Sequence, residues 1–317
     1  MVREIDAALA AWVEEDEVAL VVIDGAPGRA FCAGGDVTQI YQAVREGDIA
    51  LPRRFWSEEY AMNARLARYP KAVVSFLHGF TMGGGVGLGC HVSHRVVGET
   101  SIVAMPECAI GLVPDVGATR LLSRAPGRLG EFLAVTGHRM SPTCAIYAGF
   151  ADHFVDEHSW DELKSALVST GDVTAVEAMA GPGPETQILA DLDDVNRHFA
   201  GMRLGDVWRG LLEVDGPFSE RTRAEMERGS PLAMSCALEL VHRLNPGADI
   251  EAALELEYRY VWRSVEGGDL IEGIRAQVIE KDRDPKWMHA SIHAVSEADV
   301  TGMLGPLGRD ALKLEVA

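Results

Sequence analysis

The chain is poor in cations. It carries 29 lysines and arginines against 48 aspartates and glutamates, a formal net charge of −19. That balance argues against a nucleic-acid phosphate track and against attraction to an anionic membrane surface. No apolar run reaches the length of a bilayer span. The first residues, MVREIDAALAAWVEED, read as an acidic amphipathic helix and not as a signal peptide. Cysteine is sparse and odd in number. Cys32, Cys90, Cys108, Cys144 and Cys236 are scattered, which suits a reducing cytoplasm better than a disulfide framework.

Several signatures are also missing. The glycines from Gly83 to Gly89 do not satisfy G-x-G-x-x-G, and no P-loop lysine follows them, so nicotinamide and nucleotide triphosphate enzymes are disfavoured. There is no G-x-S-x-G elbow, which disfavours an α/β-hydrolase. No H-E-x-x-H or paired C-x-x-C occurs, so no metal site is expected. His91 and His94 beside Cys90 fall at a helix end and a strand start, and His289 and His293 read as surface residues able to share one helix face. No solenoid repeat or low-complexity tract is present.

What is present is an α/β alternation. Val18 to Ile23 and Lys71 to Leu77 are continuous, β-branched apolar runs of the kind buried in parallel sheets. Helical spacing covers Arg3 to Val13 and Phe55 to Arg68, with Gly47 to Arg54 expected as a loop and Glu58 and Glu59 as a solvated pair. The pattern continues with a helix from Gly84 to His91, short strands at His94–Val97 and Ser101–Ala104, a helix capped by Ser141 and stopped by Gly149, and a strand at His153–Val155. Alternation ends after Gly171. The GPGP stretch from Gly181 to Pro184 is the most linker-like segment, and helices with capped starts at Ser230 and Asp249 follow it. The expectation is an α/β core over residues 1–180 and a helical region over residues 181–317.

Two glycine-bearing turns stand out. GRAFCAGGDV, from Gly28 to Val37, taken alone reads as an ordinary strand-to-helix turn. GFTMGGGVGLG, from Gly79 to Gly89, places glycines at the start of a helix, where free backbone N–H groups can hold an anion or a developing oxyanion. Glu107 follows in AMPE and Asp115 in LVPDVG, both in loops after a strand, as candidate base or nucleophile. Each also fits plain turn chemistry.

Those two stretches, with MPECAIGLVPDVGATRLLSR, resemble the crotonase (enoyl-CoA hydratase/isomerase) superfamily in order and spacing. The resemblance implies a crotonase-like ββα spiral core and an acyl-CoA substrate. The thioester oxygen would be held by the backbone N–H groups of Ala33 and Gly84. Hydratases of the superfamily have a glutamate where this chain has Gly87, and tend to have glycine where it has Asp115. Glu107 with Asp115, the helix FWSEEY with Glu59, and DLIEGIRAQVIEKDRDPKW near the end instead resemble the 3-hydroxyisobutyryl-CoA hydrolases. That likeness implies hydrolysis of a 3-hydroxyacyl-CoA in valine breakdown. Glu107 would be nucleophile or general base, Asp115 would orient water or the substrate hydroxyl, and Glu59 would bind that hydroxyl. It implies no cofactor, coenzyme A being part of the substrate; the superfamily often assembles as a homotrimer or hexamer, while its hydrolase members vary, so the assembly is left open. Relative to the superfamily, the strand and loop that precede the first helix, and help hold coenzyme A, are expected to be missing. The competing readings are a hydratase or isomerase using Glu107 alone, and a non-catalytic binding or assembly subunit.

Overall fold

A computed structural model describes residues 1–314. Seven strands form two parallel sheets. The first has the order β1 (Leu20–Asp24), β3 (Ala72–Phe76), β5 (His94–Val97), β7 (His153–Phe154); the second has the order β2 (Ala30–Cys32), β4 (Phe80–Met82), β6 (Ile102–Ala104). The chain alternates between them. Each turn of the spiral lays a strand in the first sheet and then one in the second, and the first two turns then return through helices: α1 (Val2–Val13) precedes the spiral, α2 (Val37–Arg45) and α3 (Ala50–Ala67) follow β2, and α4 (Gly84–Gly89) follows β4. After β6 come a 3₁₀ turn, Glu107–Ile110, and α5 (Ala118–Arg124). This is the ββα spiral that the resemblance implied.

The first sheet is covered on both faces. Val73 packs into the main core, while Val74, Phe76 and Val96 face a second cluster closed by Trp160, Leu163 and Leu167 of the helix Trp160–Thr170. Double coverage is why β1 and β3 read as apolar runs. The main hydrophobic cluster holds residues from Leu9 to Leu312, so helices Pro231–Arg243 and Ile250–Ser264 share it with the spiral. The Ser141, Ser230 and Asp249 side chains cap their helices as their positions suggested.

Three expectations are corrected. The two glycine turns contain strands, β2 and β4, which are too short to show a period in sequence. Residues Ala50–Arg54 are the first turns of α3 and not a loop, because Pro52 falls in the first turn, where a missing N–H is harmless. His289 and His293 do not share a helix face: residues 289–291 are irregular, and His293 sits in a separate 3₁₀ turn. Among the described residues no helix is long and apolar enough to cross a membrane.

Candidate active site

The second sheet aims its carboxyl ends at one place. Ala33 follows β2, Gly83 and Gly84 follow β4, and Glu107 follows β6. Because the three strands are adjacent and parallel, these residues converge on one cavity of about 240 Å³, whose wall also includes Glu59, Asp115 and Val278. The space continues into a larger groove of about 770 Å³ that shares Gly34, Gly35, Phe55, Glu59 and Gly84 with it and passes along α1. All five residues singled out in the sequence (Glu59, Glu107, Asp115, Ala33 and Gly84) therefore line one site.

Gly83 turns the chain into α4 with φ of 52°, a backbone that favours glycine, and a Cβ there would stand 2.9 Å from Glu107 Oε1. A Cβ on Gly84 would stand 2.8 Å from Glu59 Oε1. The glycine turn is thus flanked by one carboxyl on each side. Among the described residues the amides of Ala33 and Gly84 have no protein acceptor, and both residues face the cavity. Two unfilled donors on one wall are what a developing thioester oxyanion needs.

The acids are buried without cations. Glu59, which looked solvated in sequence, turns inward, while its neighbour Glu58 pairs with Arg3 at the surface. Burial, reinforced by Asp115, pushes Glu59 up to about 8. Burial also pushes Asp115 up to about 7, against the hydrogen bond that Tyr60 Oη donates to its Oδ2 at 2.9 Å. Glu107 is held well above the ordinary carboxylate range by burial, then by Asp115; its Oε2 has no partner. Asp115 has the one hydroxyl donor and is the readiest of the three to carry charge. A substrate in the cavity would meet protonated and ionised carboxyls side by side, the arrangement from which acid and base roles are drawn.

Gly87 answers the question of a second acid after the glycine triplet. A Cβ at Gly87 would lie 2.8 Å from Val116 Cβ and 2.9 Å from both amide atoms of Asn63. Neither the nitrogen nor the oxygen of that fully buried amide has a partner. The space a longer side chain would need is occupied.

His91 and His94 go to separate tasks, His91 Nε2 against Val116 O and His94 Nδ1 against Ser93 Oγ. One group of three potential metal ligands exists among the described residues, Glu99, Asp156 and His158, all exposed and outside the cavity. Sequence reasoning missed Tyr60, although it adjoins Glu59 on a helix. It also missed Asn63 and Glu257, for which the sequence holds no signal, since each looks like an ordinary polar position of an amphipathic helix.

The family model described as enoyl-CoA hydratase/isomerase matches residues 1–304. The chain belongs to this family. Among curated relatives, the mitochondrial 3-hydroxyisobutyryl-CoA hydrolase of Rattus norvegicus is 35% identical, over 99% of this chain and 84% of its own length. That of Homo sapiens is likewise 35% identical, over 99% of this chain and 83% of its own. Among solved structures, an enoyl-CoA hydratase from Rhodobacter sphaeroides 2.4.1 superposes with a TM-score of 0.94 at 50% identity, covering 99% of this chain and 91% of that one. A carnitinyl-CoA dehydratase from Mycobacterium thermoresistibile also reaches 0.94, at 40% identity, covering 100% and 91%. The family is thus common ground for relatives named as hydrolases, hydratases and dehydratases of CoA thioesters.

Proposed function

We propose that the protein hydrolyses a 3-hydroxyacyl-CoA thioester, with 3-hydroxyisobutyryl-CoA as the leading substrate and 3-hydroxyisobutyrate and coenzyme A as products. The observation that carries this reading is the pairing of Glu107 with Asp115 on the cavity wall while the Gly87 position is filled by Val116 and Asn63. Curated relatives that bear the hydrolase name support it.

In this reading the thioester oxygen accepts hydrogen bonds from Ala33 and Gly84. Glu107, as carboxylate, has two routes. It adds to the carbonyl carbon, the C–S bond breaks, coenzyme A leaves as thiolate and takes a proton, and water then hydrolyses the resulting anhydride. Alternatively it takes a proton from water, which adds directly, and the same C–S bond breaks. Asp115, held by Tyr60, orients the water or the substrate hydroxyl, and Glu59 binds that hydroxyl. No cofactor enters either route. A single turnover in ¹⁸O-water tests for the first route: label in the Glu107 carboxyl marks an anhydride opened by water at the Glu107 carbonyl carbon, whereas direct attack of water labels the product alone. A place in valine breakdown, a cytoplasmic setting and assembly as a trimer or hexamer belong to the same proposal.

The second reading is hydration or isomerisation of an enoyl-CoA, favoured by the name of the Rhodobacter sphaeroides structure. It would have to run on Glu107 without an acid at position 87. Thiol release from 3-hydroxyisobutyryl-CoA measured beside loss of crotonyl-CoA absorbance distinguishes the two.

A further inference from the structure

Glu257 has no part in the chemistry set out above, yet it is completely buried, and among the described residues it pairs with no lysine or arginine. It lies on the helix Ile250–Ser264, which packs against both α3 and α5. Its two oxygens go to two backbone amides: Oε2 accepts from Gly117 N–H at 2.7 Å, and Oε1 accepts from Thr119 N–H at 2.8 Å. Those amides open α5, directly after Asp115 and Val116.

A second contact meets the same turn. His91 Nε2 lies 2.9 Å from Val116 O. A carbonyl only accepts, so this nitrogen carries the proton, and burial keeps the ring neutral by driving its pKa down to about 3. Between the two contacts Val116 has φ of 55°. A β-branched residue avoids that left-handed conformation, and it persists only where the surroundings impose it. Relaxation of Val116 to an ordinary φ would redirect the chain on both sides, and Asp115 is its immediate neighbour.

We propose that Glu257 and His91 form a clamp that imposes the left-handed conformation of Val116 and thereby fixes the Asp115 carboxyl against Tyr60 in the cavity. Glu257 is a positioning residue, contributed by the carboxy-terminal helices to a site whose other acids are Glu59, Glu107 and Asp115. Its kinetic consequences rest on the hydrolase reading; its structural consequences do not. The titratable group that faces Glu257 is Asp115, and its charge also reaches Tyr60 and Glu107, raising both. Removing that charge lets Glu107 ionise at lower pH.

The test compares wild type with Glu257→Gln, Val116→Gly and the double variant, by thiol release and by amide hydrogen exchange. Glutamine keeps the shape but offers one acceptor where two amides need one each. In E257Q, exchange across residues 115–120 is expected to quicken about tenfold while β1 and β3 stay protected. Turnover is expected to fall about 100-fold from the misplacement of Asp115, with KM nearly unchanged and the acid limb of the pH profile moved down. Glycine adopts positive φ freely, so V116G in the E257Q background is expected to raise kcat about tenfold over that of E257Q alone. Should E257Q not fold, His91→Phe removes the donor to Val116 O from the other side of the same turn and is expected to change exchange and kcat in the same directions. Unchanged exchange at residues 115–120 in a folded variant overturns the clamp, whatever the substrate. Local loosening without loss of kcat, or without rescue by V116G, overturns its positioning role. A wild type inert on all thioesters counts against the hydrolase reading instead and leaves the exchange result to decide the clamp.

Discussion

The two sheets of this protein are made by the same spiral and do opposite work. The first is built on the apolar runs of β1 and β3, packed between two hydrophobic clusters; the second has strands of three residues whose ends carry Ala33, Gly84 and Glu107. Burial in the first sheet is satisfied burial, apolar against apolar. Beside the second, Glu59, Glu107, Asp115 and Glu257 are buried with no cation to balance them, and Val116 is held in a strained conformation. Stability is concentrated in one sheet and spent beside the other, and substitutions in the two regions should therefore separate activity from stability.

The largest effect is expected at Glu107. Glu107→Gln should lower thiol release by about 1000-fold or more while leaving the melting temperature equal or higher, since it removes a buried acid with an unpartnered oxygen. Activity near that of wild type would remove Glu107 from the role given to it. The opposite pattern is expected behind the first sheet. Leu163 is fully buried in the cluster that covers it, so Leu163→Ala should cost about 2–5 kcal/mol of stability, read by denaturant unfolding, with kcat per folded molecule unchanged.

Neighbours on α3 sharpen the contrast. Glu59→Leu should raise KM for 3-hydroxyacyl substrates by about 10-fold or more, the effect of leaving a buried hydroxyl without its acceptor. Glu58→Ala, one residue away, removes a surface pair with Arg3 beside the larger groove and should change stability by less than about 0.5 kcal/mol and leave kcat unchanged.

The buried acids also share a pH dependence. Glu59, at about 8, and Asp115, at about 7, hold protons in the folded protein that the unfolded chain releases near pH 4. Stability from these groups is full below that pH and is lost as pH rises toward 8. Self-repulsion at a net charge of −19 has the same sign. The melting temperature should fall by several degrees from pH 6 to pH 8.5. Turnover should run the other way over this range, rising as Glu107 ionises at a pH above the ordinary carboxylate range. A melting temperature flat with pH would mean that the acids are not buried as described.

What could be read in the sequence follows the same division. Val18–Ile23 and Lys71–Leu77 announced the first sheet because double burial writes itself as continuous apolar residues. β2 and β4 were invisible as strands, since three residues cannot show a period; they were legible as glycine turns, because close backbone approach has its own signature. Glu107 and Asp115 were found in loops after a strand, and Ala33, Gly84 and Glu59 were assigned through the crotonase resemblance. Glu58 and Glu59 could not be told apart by spacing alone, since the helix phase that turns one inward is set by packing. Tyr60, His91 and Glu257 depend on contacts made 55, 25 and 140 residues away along the chain, which no local pattern encodes.

The measurement that bears most directly on the central claim is thiol release from purified protein on 3-hydroxyisobutyryl-CoA and 3-hydroxypropionyl-CoA beside acetyl-CoA and crotonyl-CoA, with crotonyl-CoA hydration followed in parallel. The expected result is fast release confined to the 3-hydroxyacyl thioesters, with negligible hydration. Rapid hydration of crotonyl-CoA with no thiol released from any substrate would contradict the account and assign the cavity to the hydratase chemistry of the family.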